Sequence, residues 1–130
     1  MDLARVMNEN GPYNKLVYGC VADNMRLPFA DSTFEAYVSN LSLMIAQHRE
    51  RQISEAFRVL KPGSRACFSI WGREENSSNF RIFLQAHRNL GREAPPNEFD
   101  RYFAFSADLD ALRQKFIDAG FVADDVRIWY

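Results

Sequence analysis

The sequence predicts an α/β protein: a Rossmann-like, mostly parallel sheet with flanking helices. Short segments rich in Val, Tyr and Phe alternate with amphipathic segments of helical period, and no internal repeat or low-complexity tract interrupts them. Of the 130 residues, 47% are hydrophobic and 25% are charged, which is typical of one globular domain. Strands and helices that alternate in this way form parallel crossover units, so we expect helices on both faces of the sheet.

The first half contains two predicted strands, at residues 15–21 and 34–41, bounded by Gly, Pro, Asp and Asn. Between residues 47 and 60, apolar side chains recur at i, i+3, i+4 and i+7, which predicts a helix. Residues 61–63, Lys-Pro-Gly, end this helix because proline cannot continue its hydrogen-bond ladder. A strand at residues 66–71 is predicted to follow.

The second half repeats the alternation, with apolar side chains at helical spacing in two further segments. Serine at the start of the first segment is a preferred helix cap, and glycine after the second is a preferred helix end. The predicted elements are a helix that starts at Ser77 or Ser78, an aromatic-rich connection at residues 91–105, a helix at 106–119 that Gly120 ends, and a closing strand at 121–130.

The charge distribution argues against a nucleic-acid or membrane-binding surface. The formal net charge is -1, and the basic residues are interspersed with acidic ones instead of forming a block. Arg49, Arg51 and Arg58 lie among Glu50 and Glu55, as on a solvated helix face. No apolar run approaches the roughly 18 residues of a membrane span, and no signal peptide begins the chain. We therefore expect a cytoplasmic protein without nucleic-acid or membrane partners.

The two cysteines, Cys20 and Cys67, both lie in strand-like segments. A thiol in such a segment usually behaves as a small buried hydrophobic group, so we favour that interpretation over a disulfide or a reactive thiol. Two cysteines without a nearby pair of histidines do not form a zinc site, and no metal is expected.

Motifs between residues 21 and 72 resemble a known enzyme family. VADNMRLPFADSTFEAYVSN contains an Asp-x-x-x-Leu-Pro-Phe element and a Phe-Glu pair before a strand, and RQISEAFRVLKPGSRACFSIWG contains an Arg-Val-Leu-Lys-Pro-Gly turn. Their order and spacing resemble the class I S-adenosylmethionine-dependent methyltransferases, in the small-molecule methyltransferase branch. Residues 119–121, Ala-Gly-Phe, are similar to that family's late helix-to-strand junction, and residues 2–7 resemble the end of its second strand.

The resemblance implies a sheet that is incomplete relative to the family's seven-stranded fold. The family's first strand, glycine-rich loop and second strand would precede Met1, and the glycines of the chain contain no Gly-x-Gly spacing. The family also has a further strand after residues 121–130. Residues 1–130 would then form a partial methyltransferase domain, the C-terminal two-thirds. Its exposed sheet edge and apolar surface would need a preceding segment or a protein partner.

The implied cofactor is S-adenosylmethionine, whose adenine would lie near Asp23. The carboxylate of Asp23 would accept a hydrogen bond from the adenine amino group, with Asn24 and Met25 against the base. Leu27 and Phe29 would cover the apolar face of the ring, because adenine has both a polar edge and an apolar face. The alternative for Asp23 is a carboxylate that caps its own loop.

Other parts of the cofactor would contact the ends of two strands. Asp2 would accept hydrogen bonds from the ribose hydroxyls, and its alternative is a solvated chain end. Ser39, Asn40 and Leu41 would line the methionine arm and the methyl-transfer position, or else form a plain polar turn. Asp31 is assigned to turn chemistry, because Asp-Ser-Thr before a strand needs no ligand to explain it.

No catalytic residue is assigned, because methyl transfer from a sulfonium is an in-line displacement that depends largely on positioning the acceptor. His48 would be a base or a solvated or capping histidine, and His87 is expected to be a core histidine. Trp71 and Gly72 end a strand on the expected acceptor side. Four aromatic residues would form a lid over the acceptor or simply pack onto the core: Phe99, Tyr102, Phe103 and Phe105.

We therefore expect S-adenosylmethionine-dependent methyl transfer to a small-molecule acceptor. The alternative is a non-catalytic, methyltransferase-like subunit that acts as an interaction protein in a complex. The missing glycine-rich loop favours the alternative. Asp23, the Leu-Pro-Phe element and Asn40 favour methyl transfer, because a pure scaffold needs no adenine pocket.

Overall fold

The computed structural model describes residues 4–6, 17–92 and 100–129. Within these ranges the chain forms two pairs of strands and four α-helices. The strands are β1 (Ala4–Val6), β2 (Val17–Gly19), β3 (Phe34–Asn40) and β4 (Leu60–Ser69). The helices are α1 (Arg49–Val59), α2 (Ser78–Asn89), α3 (Asp100–Ala107) and α4 (Leu109–Asp118), with 3-10 turns at Glu74–Asn76 and Ala123–Asp125. None of the helices in these ranges is long and apolar enough to cross a lipid bilayer.

A parallel pair of strands forms the centre of the fold. β3 and β4 pair in parallel up to Asn40 and Ser69, and α1 makes the crossover between them. This arrangement confirms the predicted α/β class. β1 and β2 instead pair antiparallel, in a separate two-stranded sheet. Only residues 7–16 separate these two strands, and a parallel crossover needs roughly a dozen residues or more.

The core lies on the face of β3 and β4 that is covered by α1 and α4. Its buried members are Leu43, Ile53, Phe105 and Leu112. The opposite face of the pair is open: Val38 is 75% exposed, and Cys67, which pairs with it on β4, is also exposed. Alternate side chains of a strand point to opposite faces, so Cys67 cannot reach the core from its position. Within the described residues, the expectations of helices on both faces and of a buried Cys67 are wrong, whereas Cys20 is half-buried.

The connection predicted at residues 91–105 ends in a helix instead of continuing as an irregular segment. Residues 100–107 form α3, and Phe105 on this helix is buried in the core. Most helical stability in proteins comes from packing an apolar face, which here outweighs weak local preferences.

The closing strand predicted at residues 121–130 does not form between residues 121 and 129. Ala123–Asp125 make a 3-10 turn. The guanidinium of Arg113 donates hydrogen bonds to the carbonyl groups of Ala123 and Val126, the latter at 2.6 Å. A side chain therefore occupies the acceptors that a neighbouring strand would need.

The helix starts agree only in part with the predicted caps. α2 begins after Ser77, but the Ser77 hydroxyl donates to the carbonyl of Arg73 at 3.1 Å instead of capping the helix. α4 is capped by Asp108, whose Oδ1 accepts a hydrogen bond from the Ala111 N–H at 2.9 Å. Asp108 thus divides the helix predicted at 106–119 into the end of α3 and the whole of α4.

Replacing Asp108 by alanine is expected to lower the free energy of unfolding by about 1 kcal/mol, because the first turn of α4 loses an acceptor for one of its N–H groups. Chemical denaturation followed by circular dichroism measures the change. Asp110→Ala is the matched control, since Asp110 is an exposed acid of the same turn. An equal loss in both variants would show that negative charge, and not the cap, stabilises the helix.

Candidate functional site

The carboxyl ends of β3 and β4 meet at one edge of the parallel pair, which is where ligands bind in open α/β sheets. Ser69 joins the two ends: its hydroxyl donates to Oδ1 of Asn40 and accepts from the Leu41 N–H at 3.1 Å. The Ser69 carbonyl accepts from the same N–H at 3.0 Å. Leu41 has a φ of 52°, a left-handed conformation that is costly for a leucine. The edge is therefore held in one strained shape, with the side chain of Asn40 exposed.

A buried polar network supports this edge from the core side. Gln52 on α1 is fully buried, and its Nε2 donates to the hydroxyls of Ser39 and Ser42 at 3.2 and 3.0 Å. Those two hydroxyls also hydrogen-bond each other at 2.7 Å. Ser39 is only 4% exposed, so its hydroxyl serves the internal structure of the strand end. Gln52 was not predicted as a site residue from the sequence. Its position beside Ile53, on the inward face of the predicted helix, is the pattern that could have indicated it.

The segment that follows β2 forms a tight turn around Asp23. Oδ1 of Asp23 accepts a hydrogen bond from the Met25 N–H at 2.9 Å, and its backbone carbonyl accepts from the Arg26 N–H at 2.9 Å. Asp23 and Asn24 are exposed, and Met25 is half-buried. Asp23 thus caps its own loop, while its second carboxylate oxygen makes no hydrogen bond with the described residues. Within those residues, no hydrogen bond connects this turn to the edge formed by residues 39–41.

The Leu27–Asp31 turn, which carries the Leu-Pro-Phe element, is held by two side chains of α1. Glu55 Oε2 accepts from the Leu27 N–H at 2.7 Å. Arg58 donates to the carbonyls of Phe29 and Leu27 at 2.8 and 3.1 Å. The interpretation of Arg58 as a solvated residue is therefore wrong, because its hydrogen bonds link segments far apart in the sequence.

Charge reinforces the contacts of this turn. Arg58 pairs with Glu55 at 2.8 Å and with Asp31 at 2.7 Å, so Asp31 contributes an ion pair in addition to its place in a turn. The hydrogen bond from Arg58 lowers the pKa of Glu55, and the Glu55 and Asp31 carboxylates raise the pKa of Arg58. Because the folded-state pKa of Glu55 is depressed, its contribution to stability is present above the unfolded-state pKa and is lost as the pH falls through the folded-state pKa.

A groove of about 420 Å³ lies beyond the carboxyl end of β4, on the expected acceptor side. Gly72 and the charged residues 73–75 line one part of it, and Phe103 and Ser106 of α3 line another. The Ser106 hydroxyl donates to the Gly72 carbonyl at 3.0 Å, which ties α3 to the strand end. Phe103, one of the aromatic residues considered for a lid, lines this groove, whereas Phe105 packs in the core.

The remaining candidates are less informative. His48 is exposed at the start of α1 and makes no side-chain cap, and His87 is half-buried on α2. Arg49 is half-buried and stacks 4.6 Å from the ring centroid of Phe105, so it too differs from a solvated residue.

In the part of the chain that the structure describes, no three His, Cys, Asp or Glu side chains are placed to hold a metal ion. Asp2 and Phe99, predicted to contact ribose and acceptor, lie outside the described residues.

Comparison with models of protein families matches residues 1–68 to the methyltransferase domain family, just over half of the 130 residues. The chain belongs to this family. The matched region includes the Asp23 turn, the Leu27–Asp31 turn, and β3 with its carboxyl end. The resemblance of this methyltransferase domain to the class I S-adenosylmethionine-dependent methyltransferases is thereby confirmed.

Curated relatives and a solved structure agree with that assignment. Over 90% of its length this chain is 29% identical to a demethylmenaquinone methyltransferase of Symbiobacterium thermophilum, and the match covers 52% of that protein. It is 46% identical to a ubiquinone/menaquinone biosynthesis C-methyltransferase of Bartonella bacilliformis over 34% of this chain and 17% of the relative. It is also 37% identical to a probable tRNA methyltransferase 9B of Homo sapiens, over 48% of this chain and 15% of the relative.

One solved structure that matches is a Thermotoga maritima protein described as an S-adenosylmethionine-dependent methyltransferase and possible histamine N-methyltransferase. It has a TM-score of 0.55 at 19% identity, over 78% of this chain and 44% of the other. This match confirms the fold. This chain spans about half the length, or less, of these relatives and of the matching structure.

Proposed function

We propose that this chain binds S-adenosylmethionine and takes part in methyl transfer to a small-molecule acceptor. The observation that carries the proposal is the hydrogen-bonded carboxyl edge of the parallel pair, where Asn40 is exposed and Leu41 is held in a left-handed conformation. Strain that the surrounding structure maintains is concentrated at ligand sites. Membership of the methyltransferase family gives this edge its most direct interpretation.

The donors and acceptors of the site fit S-adenosylmethionine. Asp23 keeps one carboxylate oxygen for its own turn and offers the other to the adenine amino group. Asn40 uses Oδ1 for Ser69, and its amide nitrogen remains a donor for the carboxylate of the methionine arm. Asn24 and Met25 lie against the base in this proposal, and Leu41 lies beside the methyl group. Ser39 supports the edge through its buried hydroxyl, and Asp2 is proposed to bind the ribose hydroxyls.

The bound cofactor supplies an activated methyl group on sulfur, so the protein is needed chiefly to hold the acceptor in line and to exclude water. The groove beside Gly72 and Phe103 is within the range of about 300 to 1,000 Å³ that small ligands occupy. Its size, together with the demethylmenaquinone methyltransferase that matches over 90% of the chain, favours a small molecule over the tRNA named for another relative. A net charge of -1 also gives no support to RNA binding.

A non-catalytic, methyltransferase-like subunit remains the second candidate, favoured by the open face of β3 and β4. Val38 is 75% exposed there, and an exposed apolar sheet face is a common site of association. In either case a preceding segment or a partner polypeptide is proposed to complete the sheet. A cytoplasmic location is part of the same proposal.

Asp23→Asn is expected to weaken S-adenosylmethionine binding by about 10-fold to 100-fold, the usual value of a hydrogen bond to a charged group. Asparagine keeps an oxygen for the Met25 N–H, so the turn is retained, but its other atom becomes a donor facing the adenine amino group. Isothermal titration calorimetry on the whole chain measures the change. Absence of heat with the unsubstituted protein would contradict cofactor binding and favour the non-catalytic alternative.

Asp124→Asn is the matched control for that experiment. Asp124 is an exposed acid in the 3-10 turn at the far end of the chain, and the substitution removes the same charge. Its affinity should equal that of the unsubstituted protein. Equal weakening in both variants would attribute the effect to net charge and would overturn the placement of adenine beside Asp23.

A further inference from the structure

Every N–H donor of the Arg58 guanidinium forms a hydrogen bond. Nε and Nη2 donate to the two carboxylate oxygens of Glu55, each at 2.8 Å. Nη1 donates to the Phe29 carbonyl at 2.8 Å and to Asp31 at 2.7 Å, and Nη2 also donates to the Leu27 carbonyl at 3.1 Å. These contacts account for all five N–H donors that an arginine possesses, and lysine has neither that number nor the planar arrangement.

Glu55 also binds the backbone of the same turn. Its Oε2 accepts from Arg58 and, at 2.7 Å, from the Leu27 N–H, so both backbone polar groups of Leu27 are bound by the pair. The two partners of that bond are 28 positions apart in the sequence. The pair therefore fixes a particular peptide of the turn and does not merely neutralise charge at the surface.

The turn has few other contacts to define its shape. Pro28, Ala30 and Asp31 are exposed. The ring of Phe29 meets that of Phe34 edge-on, with centroids 4.9 Å apart, which anchors one side chain and not the backbone. The Thr33 hydroxyl also donates to the Ala30 carbonyl at 2.6 Å. The peptide groups of Leu27 and Phe29, by contrast, are bound by the side chains of Glu55 and Arg58.

We infer that Glu55 and Arg58 are positioning residues for cofactor binding: they hold the Leu27–Asp31 turn so that Leu27 and Phe29 present an apolar wall to adenine. This inference rests on the function proposed above. Gln52 on the same helix supports the strand end proposed to bind the methionine arm. Arg58 follows Gln52 by six positions, which is about 9 Å along the helix axis at roughly 1.5 Å per residue. Helix α1 therefore carries the side chains that support both the strand end and the Leu27–Asp31 turn.

The test compares Glu55→Ala and Arg58→Lys with two controls in the whole chain. Nuclear magnetic resonance follows hydrogen exchange of the Leu27 amide, and calorimetry follows binding of S-adenosylmethionine. In Glu55→Ala the Leu27 amide is expected to exchange at least about 10-fold faster, and both variants are expected to bind S-adenosylmethionine about 10-fold more weakly or worse. Glu50→Ala controls for loss of an α1 carboxylate, since Glu50 pairs with Lys115 away from the turn.

Asp108→Ala is the second control, because it destabilises the chain through the cap of α4 without touching the turn. It should leave affinity unchanged, which separates positioning from general loss of stability. Faster Leu27 exchange with unaltered affinity would overturn the positioning role, and so would equal weakening by Glu50→Ala or Asp108→Ala. Absence of binding to the unsubstituted protein would instead overturn the proposed function together with this inference.

Discussion

Ile53→Ala is expected to lower the free energy of unfolding by about 2 to 5 kcal/mol, the range for truncating a fully buried aliphatic side chain. Ile53 is completely buried on α1, in the cluster with Leu43, Phe105 and Leu112. The cost combines the lost transfer of apolar groups from water with the cavity that remains. Urea denaturation, with the slope compared between proteins, gives the change in free energy.

Ile82→Ala provides the comparison for Ile53. It makes the same chemical change within α2, at a side chain that is 67% exposed. Its effect should stay within about 0.5 kcal/mol, as for surface substitutions in general. Similar losses at the two positions would contradict the assignment of the core to the inner face of α1.

Gly120→Ala is expected to cost about 2 to 4 kcal/mol, from backbone strain and from a displaced aromatic ring. Gly120 has a φ of 112°, and an added Cβ would lie 2.6 Å from Cε1 of Phe57. Gly120 also ends α4 with paired hydrogen bonds: its N–H donates to the Ile117 carbonyl, and the Phe121 N–H donates to the Phe116 carbonyl. Thermal and urea denaturation measure the loss.

Gly91→Ala separates strain from crowding. Gly91 has a φ of 64°, but an added Cβ would meet nothing within 4 Å. Left-handed strain alone should cost about 1 to 2 kcal/mol. Equal losses in the free energy of unfolding at the two positions would show that the contact with Phe57 contributes nothing. No loss at either position would contradict the positive φ of Gly120.

Features encoded over a few neighbouring residues could be predicted from the sequence. The strand at 34–41, the helix at 47–60 and the helix end at Gly120 follow from local periodicity and glycine's tolerance of positive φ, and the structure confirms them. The α/β class and the methyltransferase family followed in the same way, from elements and motifs continuous in the sequence.

Features that depend on contacts between distant segments could not be predicted. Periodicity places Arg58 on an outer helix face, but it does not show that residues 27–31 lie within reach of the guanidinium. Residues 121–129 are β-rich in composition, yet the carbonyls that would pair are bound by Arg113 of α4. The role of the buried Gln52 likewise depends on its hydrogen bonds to Ser39 and Ser42, which are 13 and 10 positions away in the sequence.

The exposed thiol of Cys67 allows a chemical label to be attached to the open face of β3 and β4. It pairs with Val38 across the two strands and is not among the residues that line the groove at Gly72. A maleimide dye or a photoactivatable crosslinker attached there would test whether another polypeptide binds to this face. The sulfur atom thus provides an attachment point for testing association at this face without altering any residue proposed to hold the cofactor.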